Sequence, residues 1–266
     1  MVCINNVTYY SLEEIAAREG FTPPAEGLVS FLEANPTYGR KIDGRWHSYD
    51  LAIGFMGAPG KRATSHLAGA LGFDFTGLSL PGLVLDIGAG GEGIIGQVAG
   101  SHAVGIAPEE HRRGLEAAPG CGLKVMMDAR DMKFLDNSFD TATAFFTLMY
   151  IPTADHRQVF SEVHRVLKPG GTFLLWDMAI PENTTEKTSF VLGIEVRLPE
   201  KTVLTGYGTG WAGRVQSLAI FKALAEDAGF QVVEEKEEDH LVYLKLVKLT
   251  NPSTASIILS SSPSGK

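Results

Sequence analysis

Cysteine is scarce: Cys3 and Cys121 are the only two in 266 residues, and they share no C-x-x-C spacing. That excludes a disulfide framework and leads us to expect a reducing, cytoplasmic interior. Positive charge is also short, with 23 Lys and Arg against 31 Asp and Glu, a formal net charge of −8. Such a chain has no general attraction for polyphosphate, so neither nucleic acid nor an anionic membrane surface is expected as a partner. No run approaches the roughly 18 apolar residues of a membrane span. The opening MVCINNVTYYSLEE has neither a basic start nor an apolar h-region, so no export or membrane insertion is expected. The seven histidines are scattered without H-x-x-x-H spacing, which gives no expectation of a metal. What is present, 44% hydrophobic and 20% charged residues, is the composition of a soluble globular protein with one extensive core. A small molecule is the expected partner.

From residue 83 onward, short β-branched runs alternate with amphipathic stretches, the rhythm of βαβ units around a parallel sheet. Strands are expected at 83–87, 103–106, 124–127, 141–146 and 172–176. A helix is expected at 154–167, where Val159, Phe160, Val163, Val166 and Leu167 recur at helical spacing. Lys168-Pro169-Gly170-Gly171 should end it in a tight return. Alternation over 190–198 and 201–207 around Pro199-Glu200 predicts a hairpin inserted, at about 180–215, before a last helix at 217–228. Two closing strands, 231–236 and 241–248, should form an antiparallel edge pair.

The first 80 residues differ in character. Ser11 and Glu14 form a capping box for a short helix over 11–19. A second helix is expected at 26–34, and Asp43-Gly44 marks a hairpin. Two helices and a hairpin superficially resemble a winged helix. The second helix, EGLVSFLEA, offers no Arg or Lys for bases or phosphates, so the segment is read as a helical cap over a site. The expected division is therefore a cap at 1–80, a main domain at 81–250 and a flexible tail at 251–266, rich in Ser.

Chemistry concentrates in VLDIGAGGEGIIG, Val84–Gly96, where Gly88, Gly90 and Gly93 spell G-x-G-x-x-G. Taken alone this is a dinucleotide fingerprint, which would make the protein an NAD-binding oxidoreductase. Asp86 argues otherwise. A carboxylate beside the loop repels pyrophosphate but suits a ligand carrying an ammonium or sulfonium.

The loop is joined by two further anchors: DARDMKFLDNSFDTATAFFTLMYI (Asp128–Ile151) and EVHRVLKPGGTFLLWD (Glu162–Asp177). In this order, the three resemble class I S-adenosylmethionine-dependent methyltransferases, in particular the group containing the ubiquinone and menaquinone biosynthesis enzymes. The resemblance covers roughly 82–177. It implies an α/β, Rossmann-like, doubly wound seven-stranded sheet, with the helical cap and hairpin as additions. It further implies S-adenosyl-L-methionine as cofactor and in-line methyl transfer to a small-molecule acceptor. Asp86, Gly88 and Gly90 would meet the methionine portion, Asp128 and the Ala129 backbone the adenine, and Phe145 and Phe146 the wall near the sulfonium.

This chain departs from the family pattern at two positions. Glu92 stands where the family usually has glycine. Ala107, ending the second strand, stands where both folds expect an acid for the ribose hydroxyls. Loss of such a bond would cost about 2–3 kcal/mol of binding. Glu109 or Glu110 could reach back, or could serve the first turn of a helix opened by Pro108. Tyr150 and Asp177 are the candidates for positioning an acceptor and taking its proton, with His47 and Tyr49 behind them. The apolar segments LAIGFMG and FVLGIEVRL could shape a substrate pocket or a homodimer surface. A methyltransferase fold that binds a ligand without turnover is the competing reading.

Overall fold

The computed structural model describes residues 2–4, 7–16, 29–30, 32–33, 39–48, 65–238 and 240–250. Near the N-terminus, strands β1 (Val2–Ile4), β2 (Val7–Ser11), β3 (Gly39–Ile42) and β4 (Arg45–Ser48) form a sheet in the order β1-β2-β4-β3. The expected capping box opens helix α1 (Leu12–Ala16). The Glu14 amide donates to Ser11 Oγ at 3.2 Å and the Ser11 amide to Glu14 Oε2 at 2.8 Å. The expected hairpin is also present, its turn made by Asp43 (φ 49°) and Gly44 (φ 76°). The segment read as a helical cap thus carries four strands as well, because runs such as VTYYS favour a pleated, half-buried surface. Of the second helix, 29–30 and 32–33 are helical. The rest of that helix, the last part of 11–19, Tyr49, LAIGFMG and the tail lie outside the described residues.

Next comes β5 (Ser65–Asp74), a strand that the sequence reading did not anticipate. It pairs in parallel with β11 (Ser189–Arg197), which pairs antiparallel with β12 (Thr202–Gly210). The β11–β12 hairpin is the expected insertion, and β5 makes it a three-stranded sheet.

The central sheet contains β6 (Val84–Ile87), β7 (Ala103–Ala107), β8 (Leu123–Met126), β9 (Phe139–Phe145), β10 (Leu167–Met178), β13 (Phe230–Glu238) and β14 (Leu241–Lys248). Its order is β13-β14-β10-β9-β6-β7-β8. The five strands from β10 to β8 run parallel, while β14 is antiparallel to both neighbours. This is the doubly wound Rossmann-like sheet implied by the sequence. The chain winds outward from β6 to β7 and β8, then returns to β9 on the other side. The carboxyl ends of β6 and β9 therefore part at a topological switch point.

Helices α2 (Ile94–Ala99), α3 (Arg112–Ala117), α4 (His156–Val166) and α5 (Leu218–Ala228) complete the domain. Helix α4 buries Val159, Phe160, Val163 and Val166 completely, the stripe legible in the sequence. The Lys168–Gly171 stretch is a register shift inside β10, with Gly170 at φ 79°, instead of a separate turn. Helix α5 starts with Ser217 Oγ accepting from the Ile220 amide and stops at Gly229 (φ 93°). One sheet face packs against α4 and α5 through Phe160, Phe173, Phe221 and Phe230. The other packs against α2 and the three-stranded sheet through Phe73, Phe145, Phe146, Trp176, Phe190 and Ile194. The insertion does on this face what helices do on the other, and its β12 strand borders the switch point.

Candidate active site

The loop after β6 is fixed by two demands on its backbone. The Gly88 and Ala89 amides both donate to the Ile106 carbonyl, at 2.8 and 3.1 Å, which bends the chain sharply. Gly88 adopts φ 77°, and a Cβ there would come within 2.3 Å of Thr147 Oγ1. Only glycine fits. Gly93 (φ 57°) is likewise closed in by Pro119. Gly90 is different: it has no positive φ, and its nearest neighbour to an added Cβ would be 3.8 Å away. The fold does not require glycine there, and the space beside it belongs to the cavity.

That cavity has a volume of about 830 Å³ and lies over the switch point, within the size range of small-molecule sites. It is lined by all eight residues that the sequence assigned to the cofactor: Asp86, Gly88, Gly90, Ala107, Asp128, Ala129, Phe145 and Phe146. Asp86 is 3% exposed and accepts one side-chain hydrogen bond, from Thr143 Oγ1 at 3.0 Å. Burial raises its carboxyl to about 7. Asp128 is held below the usual carboxylate range by Arg130, whose Nε and Nη2 reach its two oxygens at 2.6–3.0 Å. Arg130 also donates to Asp155 at 2.7 Å. The sequence did not foresee this guanidinium, which takes up much of the acceptor capacity of Asp128 and fixes its plane.

Ala107 ends β7, 2% exposed, with no acid in its place. Of the two neighbouring carboxylates, Glu109 is committed to a bidentate pair with Arg112, at 2.8 and 2.9 Å. Glu110 lines the cavity and has no ion-pair partner among the described residues.

Phe145 and Phe146 close the far wall. Phe146 has φ 49°, a left-handed conformation unusual for a bulky residue, with its amide donating to the Trp176 carbonyl at 2.7 Å. Its ring stacks on Tyr207 of β12, centroids 5.4 Å apart and planes 21° off parallel. Tyr207 donates to Glu92 Oε2 at 3.1 Å and Thr205 to Glu92 Oε1 at 2.6 Å. These contacts were not foreseen, although alternation along β12 does put Thr205, Tyr207 and Thr209 on one face. Arg214 also lines the cavity, and its Nε is buried without a hydrogen-bond partner.

The two proposed acceptor-side residues separate. Tyr150 lines the cavity near His111, ring centroids 6.3 Å apart, and burial pushes its phenol up to about 12. It is suited to donating a hydrogen bond and unsuited to accepting a proton. Asp177 does not line the cavity. Fully buried, it accepts from the Leu148, Met149 and Met178 amides and from Gln216 Nε2, at 2.6–3.3 Å. The proton-accepting role expected of it is corrected to a structural one, because its lone pairs are spent on the turn after β9. His47, also considered, sits in β4 with Nδ1 3.1 Å from the Arg45 carbonyl and is absent from the cavity.

Two outcomes follow. Replacing Asp177 with Ala leaves buried amides without an acceptor and should cost about 3 kcal/mol, read by calorimetric or chemical unfolding. Asp86 binds its proton up to about 7 when folded, against 3.8 as its ordinary value. Between these pH values the folded state holds more protons than the unfolded state, so this group takes stability away as pH rises. Asp86→Asn should therefore raise the melting temperature more at about pH 8 than at about pH 5.

Known proteins share parts of this chain. Residues 85–175 match the family described as "Methyltransferase domain". A sterol 4-C-methyltransferase from Caenorhabditis elegans is 40% identical over 103 residues, 35% of this chain and 30% of the relative. A mitochondrial 2-methoxy-6-polyprenyl-1,4-benzoquinol methylase from Bos taurus is 31% identical over 150 residues, 51% of this chain and 45% of the relative. The matched stretches thus span less than half the length of these curated relatives. Among solved structures, an S-adenosylmethionine-dependent methyltransferase from Methanosarcina mazei aligns with a TM-score of 0.45 and 21% identity, covering 65% of this chain and 95% of that one. The matched 85–175 segment lies within the doubly wound domain, and that segment is similar to methyltransferase domains.

Proposed function

We propose that the protein is a methyltransferase that binds S-adenosylmethionine over the β6–β9 switch point and methylates a small, largely apolar molecule. The observation that carries this reading is the cradle at Gly90: a glycine that the fold does not need, beside a buried carboxylate with one side-chain hydrogen bond, opening on a cavity of about 830 Å³. When bound, the cofactor supplies a methyl group already activated by its sulfonium. The residues of this chain supply charge complementarity, alignment and exclusion of water.

Asp86 offers its carboxylate to the cationic amino-acid end, and Arg214 offers its partnerless Nε to a ligand carboxylate. Asp128, its plane set by Arg130, accepts from the adenine amino group beside the Ala129 backbone. Glu110 is the carboxylate left to reach the ribose hydroxyls in place of the acid missing at Ala107. Phe145, Phe146 and Tyr207 form an aromatic wall, which suits a flat apolar acceptor such as the sterols and benzoquinols named for the relatives. Tyr150 orients the acceptor as a hydrogen-bond donor. In-line displacement needs no protein base for every acceptor, consistent with the removal of Asp177 from that role. The hairpin, with β5, serves as the acceptor-side cap. The paucity of cysteine supports a cytoplasmic setting, and no helix among the described residues is long and apolar enough to cross a membrane.

Ala107 favours a second reading, a ligand-binding protein without turnover, whose weakened ribose clasp would hold the cofactor poorly. Calorimetric titration with S-adenosylmethionine, S-adenosylhomocysteine and NAD separates these readings. Micromolar binding of the two sulfur ligands is expected, and binding of NAD alone would overturn the proposal. Gly90→Ala should leave stability within about 0.5 kcal/mol while lowering S-adenosylhomocysteine affinity at least tenfold. Gly88→Ala should destabilise the fold itself. Because a ligand ammonium favours the charged form of Asp86, affinity should rise with pH up to about 7, and Asp86→Asn should remove that rise.

A further inference from the structure

The glycine loop carries one side chain that the cradle does not require. Glu92 stands between Gly91 (φ 59°) and Gly93 (φ 57°), two left-handed positions that turn the loop on either side of it. Its backbone carbonyl accepts from Gln97 Nε2 at 2.7 Å, which ties the root of the side chain to α2. The carboxylate spans to the insertion, where Thr205 donates at 2.6 Å and Tyr207 at 3.1 Å. Both hydroxyls belong to β12, more than a hundred residues further along the chain. Charge-assisted hydrogen bonds to a carboxylate are among the stronger contacts available to two segments without a shared strand pairing. Tyr207 is at once a donor to Glu92 and the ring stacked on Phe146, so the same side chain joins the loop and forms the cavity wall. Burial and the Glu92 charge raise its phenol well above the usual value, which keeps it a donor.

We propose that Glu92 is a positioning residue that latches the β11–β12 hairpin to the cofactor loop, so that ordering the loop orders the acceptor-side wall. A glycine at this position could make no such bridge. The coupling to cofactor rests on the function proposed above, whereas the latch itself does not. A ligand that fixes the loop fixes Glu92, and through it the positions of Thr205 and Tyr207. By linkage, an acceptor that fixes the wall must tighten cofactor binding by the same factor.

Amide hydrogen exchange on the full chain, with and without S-adenosylhomocysteine, tests this. Without ligand, Glu92→Gly should speed exchange across 202–210 about tenfold, and the Thr205→Val, Tyr207→Phe double variant should do the same from the other side. Glu92→Gln keeps one acceptor and gains a donor that the Tyr207 oxygen can accept, so it should restore most of the protection. In the wild type the ligand should slow exchange in both 86–93 and 202–210, but in Glu92→Gly only in 86–93. Exchange of 202–210 equal to wild type in both Glu92→Gly and the double variant overturns the latch. Ligand protection of 202–210 that persists in Glu92→Gly overturns the coupling. If S-adenosylhomocysteine protects neither segment of the wild type, the cofactor reading falls with the coupling, and the ligand-free exchange still decides the latch. The two β12 substitutions leave the loop sequence intact, so a folding failure of Glu92→Gly does not remove the test.

Discussion

The close approach of Gly88 to Thr147 is the constraint on which the site depends. Two parallel strands part at the switch point, and the chain leaving β6 must pass the chain leaving β9 with no room for a Cβ between them. The Thr147 hydroxyl closes the contact by donating to the Ile87 carbonyl at 2.8 Å. That bond satisfies a buried backbone oxygen at the strand end, which would otherwise be costly. Once the contact is made, the loop can only bend toward Ile106, and Phe146 can only turn toward the insertion. The cavity is the space left between these two departures.

Two buried aspartates stand on either side of this contact, and each is raised to about 7 by burial. Their surroundings differ. Asp177 is surrounded by donors and behaves as an internal cap for the turn at 148–150. Asp86 has the Thr143 hydroxyl alone among side chains and lies at the cavity floor. A carboxylate buried with so little hydrogen bonding is costly in its charged form, whereas one ringed by donors is not.

Much of this was legible in the sequence because the signals were local. The α4 stripe, the Ser11 cap, the Asp43-Gly44 turn and the glycine loop each report on neighbours within a few residues. The residues that the resemblance assigned to a cofactor line one cavity because they lie at or just after the carboxyl ends of strands whose order follows from the winding. Asp177 was misassigned because a strand-end acid looks the same in sequence whether it faces a cavity or a turn. β5 was missed because SHLAGALGFD is rich in small residues and becomes a strand only by pairing with β11, far along the chain. Glu92 was singled out in the sequence without its contacts, and Arg130 was not foreseen, since their partners depend on how loops meet. The D-N-S-F-D turn teaches the converse lesson. Asp136 and Asp140 pair with Arg165 and Lys168, each at 2.7 Å, and neither lines the cavity. Part of the motif that carried the family resemblance is therefore architectural.

Phe146 holds a left-handed backbone that costs a bulky residue about 1–3 kcal/mol. Asparagine or glycine would relax the main chain at that point but would remove the ring on which Tyr207 lies. That ring is 1% exposed, and losing it would cost about 3–5 kcal/mol, more than the strain relieved, so packing and the shape of the chamber hold the strained backbone together. Selection for a more heat-resistant form of this protein would therefore keep Phe146, and the chamber would keep its wall as a by-product of core packing.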